Sequence, residues 1–326
     1  MPFGPAPYSG ADVTETRIIP ADATGIAEAA ALIARGLPVA VPSETVYGLA
    51  GDACSGEAVA AIYTAKGRPS FNPLIVHVVD LPMAETVADF SPLARRLAAA
   101  FWPGPLTMVL PKAPDSPVAA LLTAGLPTVA VRMPAHPVMR ALIELSGRPL
   151  AAPSANASGS ISATRADHVA RSLSGRIALV LDDGATDVGI ESTIVAVGLD
   201  RLRLLRPGSI TLEMLESATG LAVETAGNGV IEAPGQMISH YAPGKPVRLD
   251  VVRARAGEFH IGFGAVEGDA TLSRSGDLTE AAAHLFDVLH GADRSDATAI
   301  AVAPIPDHGL GVAINDRLKR AAAPRP

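Results

Sequence analysis

Short apolar runs that end abruptly in polar or charged residues, alternating with stretches of helical periodicity, constrain this chain most. Strand-like runs fall at 38–41, 74–79, 107–110, 128–132, 150–152, 177–181, 193–197 and 202–205, and helical patterns intervene at 92–101, 136–146, 164–174 and 211–218. That alternation argues for an α/β class, with helices covering a sheet. Earlier, Asp22 or Thr24 can cap a helix carrying Ile26, Ala30 and Ile33 that Gly36 would end, and a further helix is expected near 56–66.

The chain is 326 residues long, more than a single domain usually holds, and 48% of it is hydrophobic. Punctuation divides it into a Pro- and Gly-rich arm at 1–15, a large α/β domain at 16–225, a linker at 226–246 and a small C-terminal α/β domain at 247–326. The small domain shows strand-like runs at 247–252, 258–263 and 299–303, with helical patterns at 279–290 and 311–322. A net charge of -7 and 4% aromatic residues argue against a protein that grips long nucleic acid. A single cysteine, Cys54, excludes an intrachain disulfide and fits a reducing, cytoplasmic compartment. The first 20 residues read as no signal peptide, and apolar stretches are broken well before a bilayer span.

The chemistry concentrates at 66–77, where Lys66 and Arg68 flank Gly67 and a short apolar strand leads to His77. Two cations of different geometry around a glycine can approach a polyphosphate from two sides. By itself the pattern also fits a basic helix C-terminus closed by a glycine cap. Three more apolar runs end in polar or cationic segments: Pro-Ser-Glu-Thr-Val-Tyr-Gly-Leu at 42–49, Pro-Ser-Ala-Asn at 153–156 and Leu-Arg-Pro-Gly at 205–208. Open α/β sheets place their ligands at such strand ends. Other motifs fail: Gly262-Phe263-Gly264 lacks the third glycine of a dinucleotide fingerprint, and Gly244-Lys245 is followed by proline rather than Ser or Thr. No His-Glu-x-x-His or Gly-x-Ser-x-Gly pattern is present.

Together with Phe-Trp-Pro-Gly-Pro-Leu-Thr at 101–107, Val-Arg-Met-Pro at 131–134 and Gly-Ile-Glu-Ser-Thr at 189–193, these segments resemble the YrdC-like family of threonylcarbamoyl-AMP synthases, in unbroken order from about residue 16 to 249. The resemblance implies a twisted mixed open sheet covered by helices, then a linker and a small Rossmann-like α/β domain, for which the region after the linker looks short. It implies that threonine, bicarbonate or CO2, and ATP give L-threonylcarbamoyl-AMP and pyrophosphate, with Mg²⁺ on the phosphates and the product passed to a tRNA threonylcarbamoyl transferase complex. Threonine contacts are implied for Thr45, His77, Arg132, Ala152 and Ser192, and ATP contacts for Arg68, Asn72, Thr128, Ser154, Ser162 and Arg206. Lys66 joins the ATP set on charge grounds. Arg132 could take the amino-acid carboxylate through both edges of its fork. Glu44 and Glu191 are carboxylates within these motifs, to which no catalytic role falls. The linker segment that holds Met237, Ile238, His240 and Tyr241 between Pro-Gly turns is expected to cover the ATP site as a lid, through His240 and Tyr241. Two other functions stay open at this point: a different carbamoyl-adenylate chemistry, or a non-catalytic RNA-binding module.

Overall fold

The computed structural model describes residues 15–225, 232–235 and 239–324. The expected arm, apart from Glu15, lies outside the described residues, as do 226–231 and 236–238 of the linker, including Met237 and Ile238, and the last two positions.

Among the described residues, 11 strands form one sheet. In chain order they are β1 (Arg17–Pro20), β2 (Val39–Val41), β3 (Gly48–Asp52), β4 (Ile75–His77), β5 (Leu106–Pro111), β6 (Thr128–Arg132), β7 (Leu150–Ala151), β8 (Leu179–Asp182), β9 (Thr193–Val197), β10 (Leu202–Arg206) and β11 (Val223–Thr225). Their spatial order is β1-β8-β2-β3-β7-β4-β6-β5-β9-β10-β11. The sheet is mixed: β4 runs parallel to β6 and β5 to β9, whereas β5 is antiparallel to β6 and β3 to β7. Helices α1 (Ala23–Ala34), α2 (Gly56–Lys66), α3 (Leu81–Val87), α4 (Pro92–Phe101), α5 (Pro137–Ser146), α6 (Ala166–Leu173) and α7 (Leu212–Thr219) cover it.

Local chemistry sets the helix ends. The Asp22 carboxylate accepts the Gly25 N–H at 2.9 Å to open α1, and Ser55 Oγ accepts that of Ala58 at 3.2 Å to open α2. At the far end of α2, Gly67 adopts φ +59°, the left-handed cap that turns the chain toward Arg68. A Cβ on Gly67 would meet nothing within 4 Å, so this glycine serves the turn rather than clearance for a ligand. β1, β3, α3 and β11 are additions to the sequence reading. β3, Gly-Leu-Ala-Gly-Asp, lacks the β-branched residues by which strands are recognised. It is small because helices press on it: a Cβ on Gly51 would lie 3.0 Å from Ile62 Cδ1 of α2, and one on Gly48 3.3 Å from Met139 Cε of α5.

After the linker, β12 (Val247–Arg248), β13 (Glu258–Gly262), β14 (Ala270–Thr271) and β15 (Ala299–Val302) form a parallel sheet in the order β12-β15-β13-β14, packed by α8 (Leu278–Arg294) and α9 (Leu310–Ala322). Short as this region is, it closes its own sheet and core, with Leu285, Phe286, Leu289, Ile300 and Ile314 fully buried. The two units share apolar packing: Val46, Ile161, Ile190 and Tyr241 cluster with Phe286 and Leu289. Gly189 lies directly on α8, where a Cβ would sit 2.3 Å from the Ala282 carbonyl oxygen. This contact brings α9 against the loop that precedes β9.

Candidate active site

Neighbouring strands of the large sheet deliver the first group of polar side chains. His77 ends β4 and Arg132 ends β6, and the two are register partners. Alternation along β6 puts Thr128, Ala130 and Arg132 on one face. Arg132 is buried, and two of its three guanidinium nitrogens make hydrogen bonds. Nη1 donates to Thr45 Oγ1 at 2.9 Å, Nε donates to the Gly104 carbonyl at 3.3 Å, and Nη2 lies 2.7 Å from Glu44 Oε1. The Nη2 contact is close as an ion pair but lies off the hydrogen-bonding axis, so Nη2 still lacks an acceptor. Thr45 is presented by a tight turn in which Ser43 Oγ donates to the Val46 carbonyl. Burial pushes the Glu44 carboxyl up, but the Arg132 charge and the hydrogen bond from the Ala135 N–H outweigh it and hold the group below its ordinary value. Burial, then the Arg132 charge, lowers the His77 imidazole to about 3, so it is neutral at pH 7.

The second group is cationic. Lys66 Nζ donates to the carbonyls of Ser154 and Asn156, both at 2.5 Å. Arg68 donates to the Asn72 and Pro73 carbonyls and to Asn72 Oδ1. Arg206 donates through Nε to the Ser192 carbonyl at 3.0 Å and through Nη2 to Ser192 Oγ at 3.1 Å. All three are buried, and none of them makes an ion pair with a carboxylate among the described residues. Burial accordingly lowers all three: Arg68 to about 10, Arg206 below its ordinary value, and Lys66 well below its own, with the Arg68 charge adding to the effect on Lys66. Buried cations held only by carbonyls, hydroxyls and an amide oxygen are what an anion site requires before its anion arrives.

The linker closes one side. His240 and Tyr241 are buried and meet edge to face, with ring centroids 4.0 Å apart. Tyr241 also packs on Phe286 of α8, so the segment both lines the cavity and docks the small domain. Gly235, at φ +86°, fits where a Cβ would lie 2.7 Å from Arg206 Cδ and 2.9 Å from Tyr241 Oη. Burial, then the charges of Arg68, Lys66, Arg206 and Arg317, drives His240 well below its ordinary value.

These groups surround one partly open pocket, with room for about 40 Å³ of solvent beyond its walls' own contact shell. Of the residues singled out from sequence, Thr45, His77, Arg132, Ala152 and Ser192 line it, as do Arg68, Ser154, Arg206, His240 and Tyr241. Four do not. Lys66 and Asn72 hold its wall through the bonds above, Thr128 lies at the far end of β6 opposite Pro111, and Ser162 Oγ donates to Glu191 Oε1 from behind. His77 Nδ1, Arg132 Nη2, His240 Nδ1 and Tyr241 Oη are buried without a hydrogen-bond partner, as is Glu44 Oε2 behind Arg132. Native structures seldom leave so many such atoms together except where a ligand or water completes them. Glu191 also lines the cavity but is engaged by Arg317 of α9, at 3.0 Å. Arg317 gave no sequence signal, because a basic residue near the end of a helix reads as a dipole complement.

Known proteins resemble this chain over most of its length. A family model covering Sua5, YciO and YrdC and described as telomere recombination matches residues 31–208, and one described as the C-terminal domain of threonylcarbamoyl-AMP synthase matches residues 210–323. The chain is 42% identical over 324 residues to threonylcarbamoyl-AMP synthase of Bacillus subtilis, covering 92% of this chain and 93% of that one. Against the synthase of Pyrococcus abyssi it is 41% identical over 320 residues, covering 91% and 94%. Its fold matches P. abyssi Sua5 complexed with L-threonine with a TM-score of 0.84 at 38% identity, covering 94% and 98% of the two chains.

Proposed function

The chain belongs to the Sua5, YciO and YrdC family, among its two-domain threonylcarbamoyl-AMP synthases, and we propose that it makes L-threonylcarbamoyl-AMP from L-threonine, bicarbonate or CO2, and ATP. One observation carries the reading: a single cavity joins a polar amino-acid end, at Thr45, His77, Arg132 and Ser192, to a buried cluster of cations lacking carboxylate partners.

In the proposed sequence, the threonine ammonium first gives up a proton to solvent, and the neutral amine then adds to CO2 with loss of a second proton, or to bicarbonate with loss of water, to give N-carboxythreonine. A carbamate oxygen then forms a bond to the α-phosphorus of ATP, the bond from that phosphorus to the bridging oxygen breaks, and pyrophosphate leaves with the electron pair. No covalent enzyme intermediate is needed, so orientation and neutralisation of phosphate charge supply the catalysis. The Arg132 guanidinium, with Glu44 compensating its charge from behind, offers Nη2 to the substrate carboxylate. An ion pair of net zero charge suits an amino-acid zwitterion. Neutral His77 and Thr45 flank it, and Arg68 and Arg206 face the phosphates while Lys66 holds the Ser154 loop against them. Mg²⁺ would neutralise phosphate charge when bound. The described residues contain no group of three or more His, Cys, Asp or Glu able to hold a metal, so in this proposal the ion is carried by the nucleotide and water. His240 and Tyr241 act as the inner surface of a lid that keeps water from the carbamate. The product would pass to a tRNA threonylcarbamoyl transferase complex in the cytoplasm. No helix among the described residues is long and apolar enough to cross a membrane.

The test is incubation with ATP, threonine and bicarbonate, with detection of pyrophosphate and threonylcarbamoyl-AMP together. Product formed only from carbamoyl phosphate, or salt-sensitive RNA binding with no ATP turnover, would defeat the proposal.

A further inference from the structure

Among the described residues Arg317 is the largest fully buried side chain, yet it comes from the small domain and does not line the cavity. Its Nε donates to Glu191 Oε2 at 3.0 Å, and its Nη1 donates to the Pro207 carbonyl at 2.8 Å and to Asp316 Oδ2 at 2.9 Å. Its guanidinium carbon lies 5.3 Å from the centroid of the Tyr241 ring. Both oxygens of Glu191 are thereby occupied, Oε1 by Ser162 Oγ and Oε2 by Arg317. Glu191 immediately precedes Ser192, the residue that holds Arg206. A carboxylate freed here would be beside a buried guanidinium with no counter-charge of its own.

We infer that Arg317 is a positioning residue for the anion site: by engaging Glu191 it keeps that carboxylate off the neighbouring cations and so reserves their charge for a phosphate-bearing substrate. The inference rests on the adenylate-forming reading above and gives the small domain a part in it. The influence of Glu191 already reaches the cluster, since its charge raises the proton affinity of both Lys66 and Arg206 against the larger effect of burial. In a buried site such a charge is weakly screened, so its direction and partner decide whether an incoming anion meets a cationic or a neutral wall. The cluster as a whole is neutral, because Glu191 and Asp316 balance Arg317 and Arg320.

The experiment compares Arg317→Met, Arg317→Lys and the double variant Arg317→Met with Glu191→Gln. Methionine keeps the apolar stem against Tyr241 and removes the charge. Arg317→Met is expected to raise the ATP KM at least about tenfold, with the threonine KM changed less than about threefold. The double variant, which also removes the freed carboxylate, should recover most of the ATP KM, and Arg317→Lys should lie close to wild type. An unchanged ATP KM in Arg317→Met overturns the inference. So does an equal defect in the single and double variants, or failure of both to fold, because either result assigns Arg317 to domain docking alone. Wild-type chain that binds no ATP by calorimetry would instead remove the adenylate reading and this inference with it.

Discussion

Replacing Arg132 with lysine separates the two ends of the cavity. The guanidinium reaches Thr45 Oγ1 at 2.9 Å, the Gly104 carbonyl at 3.3 Å and Glu44 Oε1 at 2.7 Å, each from a different nitrogen. A lysine ammonium is a single point on a flexible stem and can retain the Glu44 pair, but it cannot also present Nη2 to a substrate carboxylate. Loss of one charge-assisted hydrogen bond costs about 1.5–3 kcal/mol, equivalent to about 13- to 160-fold in an equilibrium constant. The threonine KM should rise by a factor in that range. Because Arg68, Arg206 and Lys66 make no bond to Arg132, the ATP KM should change less than about threefold. Initial rates of pyrophosphate release, measured against threonine at saturating ATP and against ATP at saturating threonine, give both constants. Thermal melting establishes that the variant is folded. An ATP defect equal to or larger than the threonine defect would place Arg132 on the phosphates and refute this division of the site.

Arg68→Ala removes a cation and three hydrogen bonds to Asn72 and Pro73, so it should raise the ATP KM at least about tenfold while largely sparing threonine; equal ATP affinity by calorimetry in a folded variant contradicts this. Gly189→Ala places a Cβ 2.3 Å from the Ala282 carbonyl oxygen at φ +77° and should destabilise docking of the small domain by about 2–5 kcal/mol. Limited proteolysis that fails to release the small domain faster would argue against it. Burial is the main cause lowering His77 and His168 to about 3 and His290 to about 4, all below the ordinary 6.5. These groups stay neutral in the fold but protonate when it opens, so their contribution is present above pH 6.5 and lost as pH falls. Urea unfolding at pH 5 should show a loss of about 2 kcal/mol per such histidine relative to pH 7.5, and a pH-independent midpoint would show that these imidazoles are not held neutral.

Several features followed from the amino-acid order alone because their causes are local. Short apolar runs placed β6 at Thr128–Arg132 and β9 at Thr193–Val197, a cap and a closing glycine placed α1, and helical periodicity placed α2 and α4. The strand ends carrying His77, Arg132 and Arg206 were legible for the same reason, because a charge that ends an apolar run must be buried at the lip of the sheet or leave it. β3 was not legible, since its Gly-Leu-Ala-Gly-Asp run has small residues suited to two pressing helices rather than a strand signature of its own. What the polar groups do to one another was decided only by the tertiary structure. Glu44 neutralises Arg132 across 88 positions of chain, Lys66 stitches the Ser154 loop, and Arg317 reaches Glu191 from 126 positions away. Each of those charges is compatible, in sequence, with a solvated surface. Only the packing of β4 beside β6, and of the small domain on Gly189, removes the water and obliges each charge to find a partner or wait for one.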